Sequence, residues 1–385
     1  MGSGVSTEGA LTVEALAKPG VDAFEVAGTV EGQRLVMKTL LSGDSGYRCE
    51  SSEENQAAFL DAIRDGYLTA KLPDNIGYKS YHTLTHAFDV MLTTHSIMHD
   101  SAYVFLTPNE RTSLIAAAFC HDVLHPGVNN GYFVNRQDAL AVKYDNKSIL
   151  ELQSIDFALP LVKQYNIITT EVSEKIFVQS IEWTDMSKHG ALMKDVEAFF
   201  PGFLLVLNAE RKKLDLEEKE TGLDQSDLDA GIDLSAVLSP EHKQMLAAFI
   251  LHCADVSNPV KHWSYCERWA VLVMHEFFGQ GDSEKRLNLP LSMNCDRDTV
   301  STPTCQLGFG AFIIKPLFLL LAKLLPKIGA VYLKNFEENN KMWQKAKEEE
   351  ESAKVPYKMV LQPPSEAGGW LYGEMKNDTD EAAGV

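Results

Sequence analysis

The segment that leads up to Cys120 constrains the fold of this chain more than any other part of its sequence. It opens with a helix start: Thr107 suits an N-cap, a proline follows at the first helical position, and Glu110 stands two residues later. Apolar side chains then continue at helical spacing to Cys120, and a Pro126-Gly127 pair breaks the chain soon afterwards. We therefore predict a rigid helix that holds the residues after Cys120 in a fixed position.

Three side chains that can bind metals follow this helix, namely His121, Asp122 and His125. If the helix ends at His121, His125 lies about one turn further on, roughly on the same face. A carboxylate beside an imidazole offers one ion a nitrogen and an oxygen, while the second carboxylate oxygen reaches a neighbouring ion. The pattern therefore favours a two-metal site, and the alternative is a helix end with polar caps.

A second predicted helix carries four histidines. At about 100° per residue, His82, His86 and Asp89 fall within roughly 60° of one another, whereas His95 and His99 point to nearly the opposite side. Apolar neighbours mark the first half of this helix as buried, so we expect the first group to face the site. The His95/His99 pair is interpreted as structural.

Another carboxylate closes a predicted buried helix that begins at Ser239 and ends at Asp255. An unpaired carboxylate in the interior is very costly, so Asp255 needs a partner. A metal ion, a helix cap or a salt bridge would each satisfy it.

The net charge argues against two classes of partner. A formal charge of −19 disfavours nucleic acid and anionic membrane surfaces, because both would be repelled. No apolar run reaches the roughly 20 residues of a membrane span, and Lys315, Pro316 and Lys323 interrupt the most apolar stretch, so a buried helix is expected there. Six cysteines without a CxxC pair indicate free thiols in a reducing compartment, which predicts a cytoplasmic protein.

Helical periodicity dominates and strand-like alternation is nearly absent, so the predicted fold is all-α, a compact multi-helix domain. We predict a flexible leader over 1–20, one domain over 21–350, and a disordered acidic tail over 351–385. Inside the domain, the charged stretch 207–234 is expected at the surface, and 279–304 is expected to be an irregular, mobile segment. The sequence does not determine the oligomeric state, for which a dimer is one candidate.

Seven short motifs occur in a fixed order, at residues 81–90, 121–130, 184–189, 254–259, 281–282, 295–297 and 306–309. Together they closely resemble the catalytic domain of class I cyclic nucleotide phosphodiesterases, over roughly residues 20 to 350. The resemblance implies an all-helical HD-type domain with its metal site at the base of a deep pocket. It also implies a hydrolase of signal transduction that cleaves a phosphoric diester, cyclic AMP and/or cyclic GMP.

By position, the resemblance implies the ligands of the tighter metal, zinc: His86, His121, Asp122 and Asp255. Asp122 would also contact a second ion, magnesium or manganese. Two neutral imidazoles suit zinc, and an oxygen-rich site suits a hard ion that keeps several waters. The family positions that hydrogen-bond those waters are matched by His125, Glu151 and Thr184.

The resemblance also implies a mechanism in which a hydroxide held between the two metals attacks phosphorus opposite the 3′ oxygen. His82 matches the general acid that protonates the leaving oxygen, so the product would be a nucleoside 5′-monophosphate. Gln306 would hydrogen-bond the base, which Phe309 and Val273 would enclose. Other residues match further pocket positions: Tyr81, Met186, Asn258, Trp269 and Phe277.

Base selectivity is not determined by these matches, because the amide of Gln306 can turn either edge to the base. Small residues at Ala270 and Cys266 suggest a roomy pocket that accepts both cyclic nucleotides. Two positions depart from the family pattern. Leu124 stands where an aspartate is usual, which puts metal affinity or ligand orientation in question, and Thr83 stands where asparagine is frequent.

Two other functions are compatible with parts of the pattern. An HD-type metallophosphohydrolase acting on non-cyclic nucleotides would share the metal ligands, but it would have no need of Gln306 and Phe309. A catalytically impaired module that only binds cyclic nucleotides would be consistent with the loss of a carboxylate at Leu124.

Overall fold

The computed structural model describes residues 11–42, 46–73, 76, 79–354, 357, 360–364 and 370–373. Over these residues the regular secondary structure is helical apart from two short strands, which confirms the predicted all-α class. The α-helices are α1 (Val13–Leu16), α2 (Ala23–Val26), α3 (Val30–Leu40), α4 (Glu53–Thr69), α5 (Leu84–Asp100), α6 (Pro108–Cys120), α7 (Asn130–Asn135), α8 (Ala139–Lys143), α9 (Ile149–Gln164), α10 (Glu171–Glu182), α11 (His189–Lys213), α12 (Gln225–Asp229), α13 (Pro240–Asp255), α14 (Trp263–Leu287), α15 (Thr302–Phe309), α16 (Lys315–Leu324) and α17 (Pro326–Ala353). Short 3-10 helices span Ala102–Phe105, Met186–Lys188 and Asn258–Val260.

Helix α5 lies inside the fold, packed against α6 and α13, and nearly all of its side chains are buried. A helix buried on every face must supply partners for its polar groups. Asp89 forms an ion pair with Lys261. His95 lies 2.6 Å from the Tyr47 hydroxyl through Nδ1 and 3.0 Å from the Val13 carbonyl oxygen through Nε2. His95 therefore has the structural environment that the sequence suggested.

Part of the segment predicted to be a flexible leader, 1–20, is helical and packed against the core. Residues 1–10 lie outside the described part of the chain, but α1 packs against α5 and buries Leu16 in the main core. Phe24 of α2 then packs on Trp269, with ring centroids 4.6 Å apart. The small residues of this segment suggested flexibility. The sequence alone does not show which helices cover Leu16.

Two segments expected to be irregular or exposed are partly helical. Helix α11 continues to Lys213, and the fully buried Arg211 bonds both carboxylate oxygens of Asp227, at 2.8 and 2.7 Å. Helix α14 continues to Leu287, so the irregular segment begins at Asn288. Charge alone suggested exposure in the first case, whereas a buried bidentate ion pair accommodates that charge in the interior.

The most apolar helix is less buried than the sequence predicted. Helices α15 and α16, joined by the π-helical turn Gly310–Ile314, form the one helix in the described residues that is long and apolar enough to cross a membrane. Only 39% of its most apolar stretch is buried. Leu317 and Leu321 pack in the main core, while Phe312 is 80% exposed.

The tail predicted to be disordered, 351–385, lies largely outside the described residues. Helix α17 reaches Ala353. Further on, β1 (Val360–Pro364) pairs antiparallel with β2 (Trp370–Gly373).

Candidate active site

Four side chains predicted to bind metal come together at the ends of three helices. His86 lies in the first turn of α5, His121 caps the carboxyl end of α6 and Asp122 follows it, and Asp255 is the last residue of α13. Each offers one ligand atom, and these atoms all lie within 4.8 Å of one another. Asp255 is far from the others in sequence, so the packing of α13 against α5 and α6 creates the group.

The distances within this group suit donors that share one ion. Nε2 of His121 lies 3.1 Å from Oδ2 of Asp122 and 3.2 Å from Oδ1 of Asp255. Nε2 of His86 lies 3.1 Å from the same oxygen of Asp255. Ligands that bond to zinc at about 2.0–2.2 Å lie roughly 3 Å apart around the ion. The residues therefore fit a metal ion.

His121 gives a chemical reason for a cation at this point. Its Nδ1 lies 2.8 Å from the Ala118 carbonyl oxygen, where only a protonated nitrogen can bond. In the neutral ring, Nε2 then carries a lone pair and faces two carboxylate oxygens, an arrangement that only a proton or a metal ion stabilises. Burial would lower the pKa of His121, but Asp122 and Asp255 raise it well above the usual value.

A second group lies beside the first and contains His82, His125 and Glu276, with one ligand atom of each within 4.8 Å of the others. Nδ1 of His82 bonds Oε1 of Glu276, and the His125 ring stacks on the His82 ring at 3.7 Å. Burial would lower the pKa of His82, but Glu276 raises it above its usual value. Burial and the charge of His82 lower the pKa of His125 to about 3.

Glu276, which bonds His82, was not among the site residues predicted from the sequence. Its Oε2 accepts hydrogen bonds from the backbone N–H groups of Ser80 (3.1 Å), Tyr81 (2.9 Å) and His82 (3.3 Å). Burial would raise its pKa, but His82 lowers it to about 2, so the carboxylate is ionised. The available signal was an acidic residue seven positions after Trp269, on the buried face of an amphipathic helix.

Glu151 and Thr184 are not members of either group. Oε2 of Glu151 accepts a hydrogen bond from Asn130 Nδ2 at 3.0 Å, and Thr184 donates to the Ile181 carbonyl oxygen at 2.8 Å. Burial and the nearby Asp185 raise the pKa of Glu151 to about 7. Acidic residues therefore crowd this side of the metal group, where a further cation would stabilise them.

A cavity lies next to the metal group. Six of the residues predicted to bind substrate line it: Tyr81, Asn258, Val273, Phe277, Gln306 and Phe309. The Tyr81 ring lies 4.5 Å from that of His86, and its hydroxyl bonds the Asn258 amide. Tyr81 therefore connects the cavity to the metal group.

The other two predicted substrate residues do not line this cavity. Trp269 is buried behind the wall, where its ring packs against those of Tyr81 (5.5 Å) and Phe24 (4.6 Å). Met186 is 43% exposed in the 3-10 helix that follows Asp185. Trp269 thus supports the wall, and Met186 lies at the surface.

Comparison with known proteins identifies the family. Residues 81–336 match the family model described as 3′5′-cyclic nucleotide phosphodiesterase. The chain belongs to this family. This confirms the resemblance derived from the seven motifs.

Two curated members of the phosphodiesterase family from Drosophila melanogaster are similar to this chain. A dual specificity calcium/calmodulin-dependent 3′,5′-cyclic nucleotide phosphodiesterase is 31% identical over 71% of the chain, and a 3′,5′-cyclic-AMP phosphodiesterase is 30% identical over 74% of it. The matches span 29% and 40% of those two proteins, respectively. The phosphodiesterase domain of Salpingoeca rosetta rhodopsin phosphodiesterase shares the fold, with a TM-score of 0.69, 22% identity, and coverage of 90% of this chain and 97% of that one.

The two departures from the phosphodiesterase pattern can now be located. Leu124 has a left-handed backbone, with φ of 67°, and its side chain lines a separate cavity with Lys71 and Arg136. Aspartate tolerates this conformation better than leucine does, which gives a backbone reason for the usual residue. Thr83 is the N-cap residue of α5, and its side chain makes no capping hydrogen bond.

Replacing Leu124 by Asn is expected to change the free energy of unfolding by less than about 1 kcal/mol, because the lower cost of the left-handed conformation for asparagine offsets the apolar contacts that Leu124 makes with the main core. Turnover should change by less than about twofold, well below the usual effect of losing a group that orients a metal ligand. Urea unfolding and steady-state kinetics measure the two effects. Leu140→Asn is the matched control, since Leu140 lines the same cavity from the regular helix α8 and its replacement should destabilise the fold. Equal destabilisation by the two changes would contradict the backbone explanation.

Proposed function

We propose that this chain hydrolyses 3′,5′-cyclic nucleotides to nucleoside 5′-monophosphates. The observation that carries the proposal is the position of Tyr81, which contacts the metal group through His86 and the cavity through Asn258. A phosphate placed over the metal group would therefore have its base directed towards Gln306 and Phe309. The names of the relatives, which include cyclic nucleotide phosphodiesterases of single and dual specificity, support the same reaction class.

The proposed metals are zinc, and magnesium or manganese. His86, His121, Asp122 and Asp255 would hold zinc, because two imidazoles and two carboxylates suit that ion. Asp122 would also contact the second ion, whose waters would bond His125, Glu151 and Thr184. Two bound cations would supply an acidified water as nucleophile and offset the charge of the phosphate.

His82 is proposed to donate a proton to the departing 3′ oxygen. Its Nδ1 is bonded to the ionised Glu276, so Nε2 is the nitrogen from which the proton leaves. Glu276 favours the charged imidazolium and raises the pKa of His82, which keeps the acid loaded near neutral pH. The stacked ring of His125 fixes the plane of His82.

The cavity suits a purine. Phe309 and Val273 would enclose the base, and Gln306 would bond its edge with an amide that offers both a donor and an acceptor. The side chain of Gln306 makes no hydrogen bond to any of the described residues, so its amide can turn. Ala270 adds no polar group beside it. We therefore propose that both cyclic AMP and cyclic GMP are accepted.

A competition assay with both cyclic nucleotides, followed by product identification and metal analysis of the same sample, tests the proposal. We expect both to yield 5′-monophosphates, with zinc bound. Cleavage of only non-cyclic nucleotides would favour the wider class of HD-type hydrolases. Binding without turnover in added magnesium or manganese would favour a binding module.

The remaining assignments are proposals of the same kind. We propose one catalytic domain over 21–350, which contains the whole of the match at 81–336. A cytoplasmic location is proposed because all six cysteines are free thiols, as expected in a reducing compartment.

A further inference from the structure

Lys79 lies at the start of the segment that carries His82, and its side chain reaches the loop that carries His125. Its Nζ donates a hydrogen bond to the His125 carbonyl oxygen at 2.8 Å. The three residues that follow Lys79 donate their backbone N–H groups to Glu276. One side chain therefore links the two segments that contain the stacked histidines.

The packing around Lys79 is tight. Gly127 has φ of 77°, and a Cβ added there would lie 2.9 Å from Cβ of Lys79 and 3.6 Å from Cδ of Glu276. A glycine is thus required where the loop passes between these two side chains. Nζ of Lys79 also lies 5.7 Å from the centre of the Tyr67 ring. Burial lowers the pKa of Lys79 to about 8, while Glu276 and Asp122 act in the opposite direction.

We propose that Lys79 is a positioning residue for proton donation by His82. The His82 ring is held on one side by Glu276 and on the other by His125, which stacks at 3.7 Å with 21° between the rings. Lys79 fixes the backbone of His125 relative to the segment 80–82. It therefore keeps the stacked ring of His125 aligned with the His82 ring that Glu276 bonds. This inference rests on the proposed function, because it needs His82 to be the general acid.

Lys79→Met removes the ammonium group and keeps an unbranched stem. We expect kcat for cyclic nucleotides to fall by roughly 10- to 100-fold, the usual scale for a misplaced catalytic group. KM should stay within about twofold, because Lys79 does not line the cavity. A lower kcat with an unchanged KM corresponds to loss of an interaction that is made in the transition state. Zinc content should be unchanged. Lys71→Met is the matched control, since Lys71 is an exposed lysine of the same connecting segment.

A substrate whose leaving group needs no proton distinguishes two causes of lost activity: a misplaced general acid and a general disturbance of the active site. In a cyclic nucleotide with sulfur at the 3′ position, hydrolysis breaks the P–S bond and the sulfur leaves as thiolate, so His82 has little to contribute. We expect Lys79→Met to match the unchanged enzyme on this analogue. Equal losses on the oxygen and sulfur substrates, or no loss on either, would overturn the inference.

Two further measurements keep these outcomes distinct. His82→Ala should show the same substrate dependence as Lys79→Met, and more strongly. If the unchanged protein cleaves neither substrate, the proposed function fails. If the unchanged protein is active and Lys79→Met has the same turnover, only the role proposed for Lys79 is wrong. Lys79→Gln, checked for folding by circular dichroism, answers the same question if the methionine variant does not fold.

Discussion

Asp255→Ala is expected to lose the zinc proposed to bind at this group and at least about 100-fold in turnover, more than the change usually seen when only a supporting partner of a ligand is lost. One oxygen of Asp255 lies 3.1 Å from Nε2 of His86 and 3.2 Å from Nε2 of His121. Its removal would take away the carboxylate that, in the proposed site, offsets the charge of the ion between the two imidazoles. Metal analysis of the purified protein and steady-state kinetics measure the two losses.

Asp195→Ala is the control for this experiment, because Asp195 is an exposed aspartate on α11 and is not part of the metal group. It should retain both zinc and turnover. Full zinc occupancy together with full turnover in Asp255→Ala would refute the proposed ligand set. Loss of turnover with zinc retained would show that Asp255 acts other than as a ligand.

His82→Ala is expected to reduce turnover by about 100- to 10,000-fold, the usual range for general acid–base catalysis. Metal content should stay intact, because His82 is held by Glu276 and is not one of the four proposed ligands. Glu276→Gln should show a smaller loss in the same direction, since a neutral amide no longer favours the imidazolium. Kinetics and metal analysis on the same preparations distinguish these effects.

The control is His99→Ala, since His99 is an exposed histidine of α5, the helix that begins two residues after His82 and not, as predicted, before it. It should leave turnover unchanged. If His82→Ala kept full turnover on both cyclic nucleotides, or if it lost its metal, the role proposed for His82 would be wrong.

At position 124 the backbone conformation offers a different explanation from the one that the sequence suggested. The family resemblance implies an aspartate where Leu124 stands, and the sequence linked that departure to metal binding. Its φ of 67° and its separate cavity instead point to a backbone preference at a tight loop. Only coordinates contain the dihedral angle that separates the two explanations.

The sequence by itself determined the elements whose causes are local. The cap at Thr107, the presence of His86 in a buried helix, and the adjacency of His121 and Asp122 follow from the geometry of single helices and their ends. Helical periodicity along the chain was enough to predict an all-α fold, and seven short motifs in order were enough to predict the family.

The tertiary structure alone decided what depends on contacts between distant segments. Glu276 meets His82 only because α14 packs beside the segment 80–82, and Lys79 reaches the His125 carbonyl only because Gly127 leaves room for it. No periodicity within one helix encodes such meetings. They result from how the helices bury their apolar faces together, and that arrangement also determines where charge can be buried.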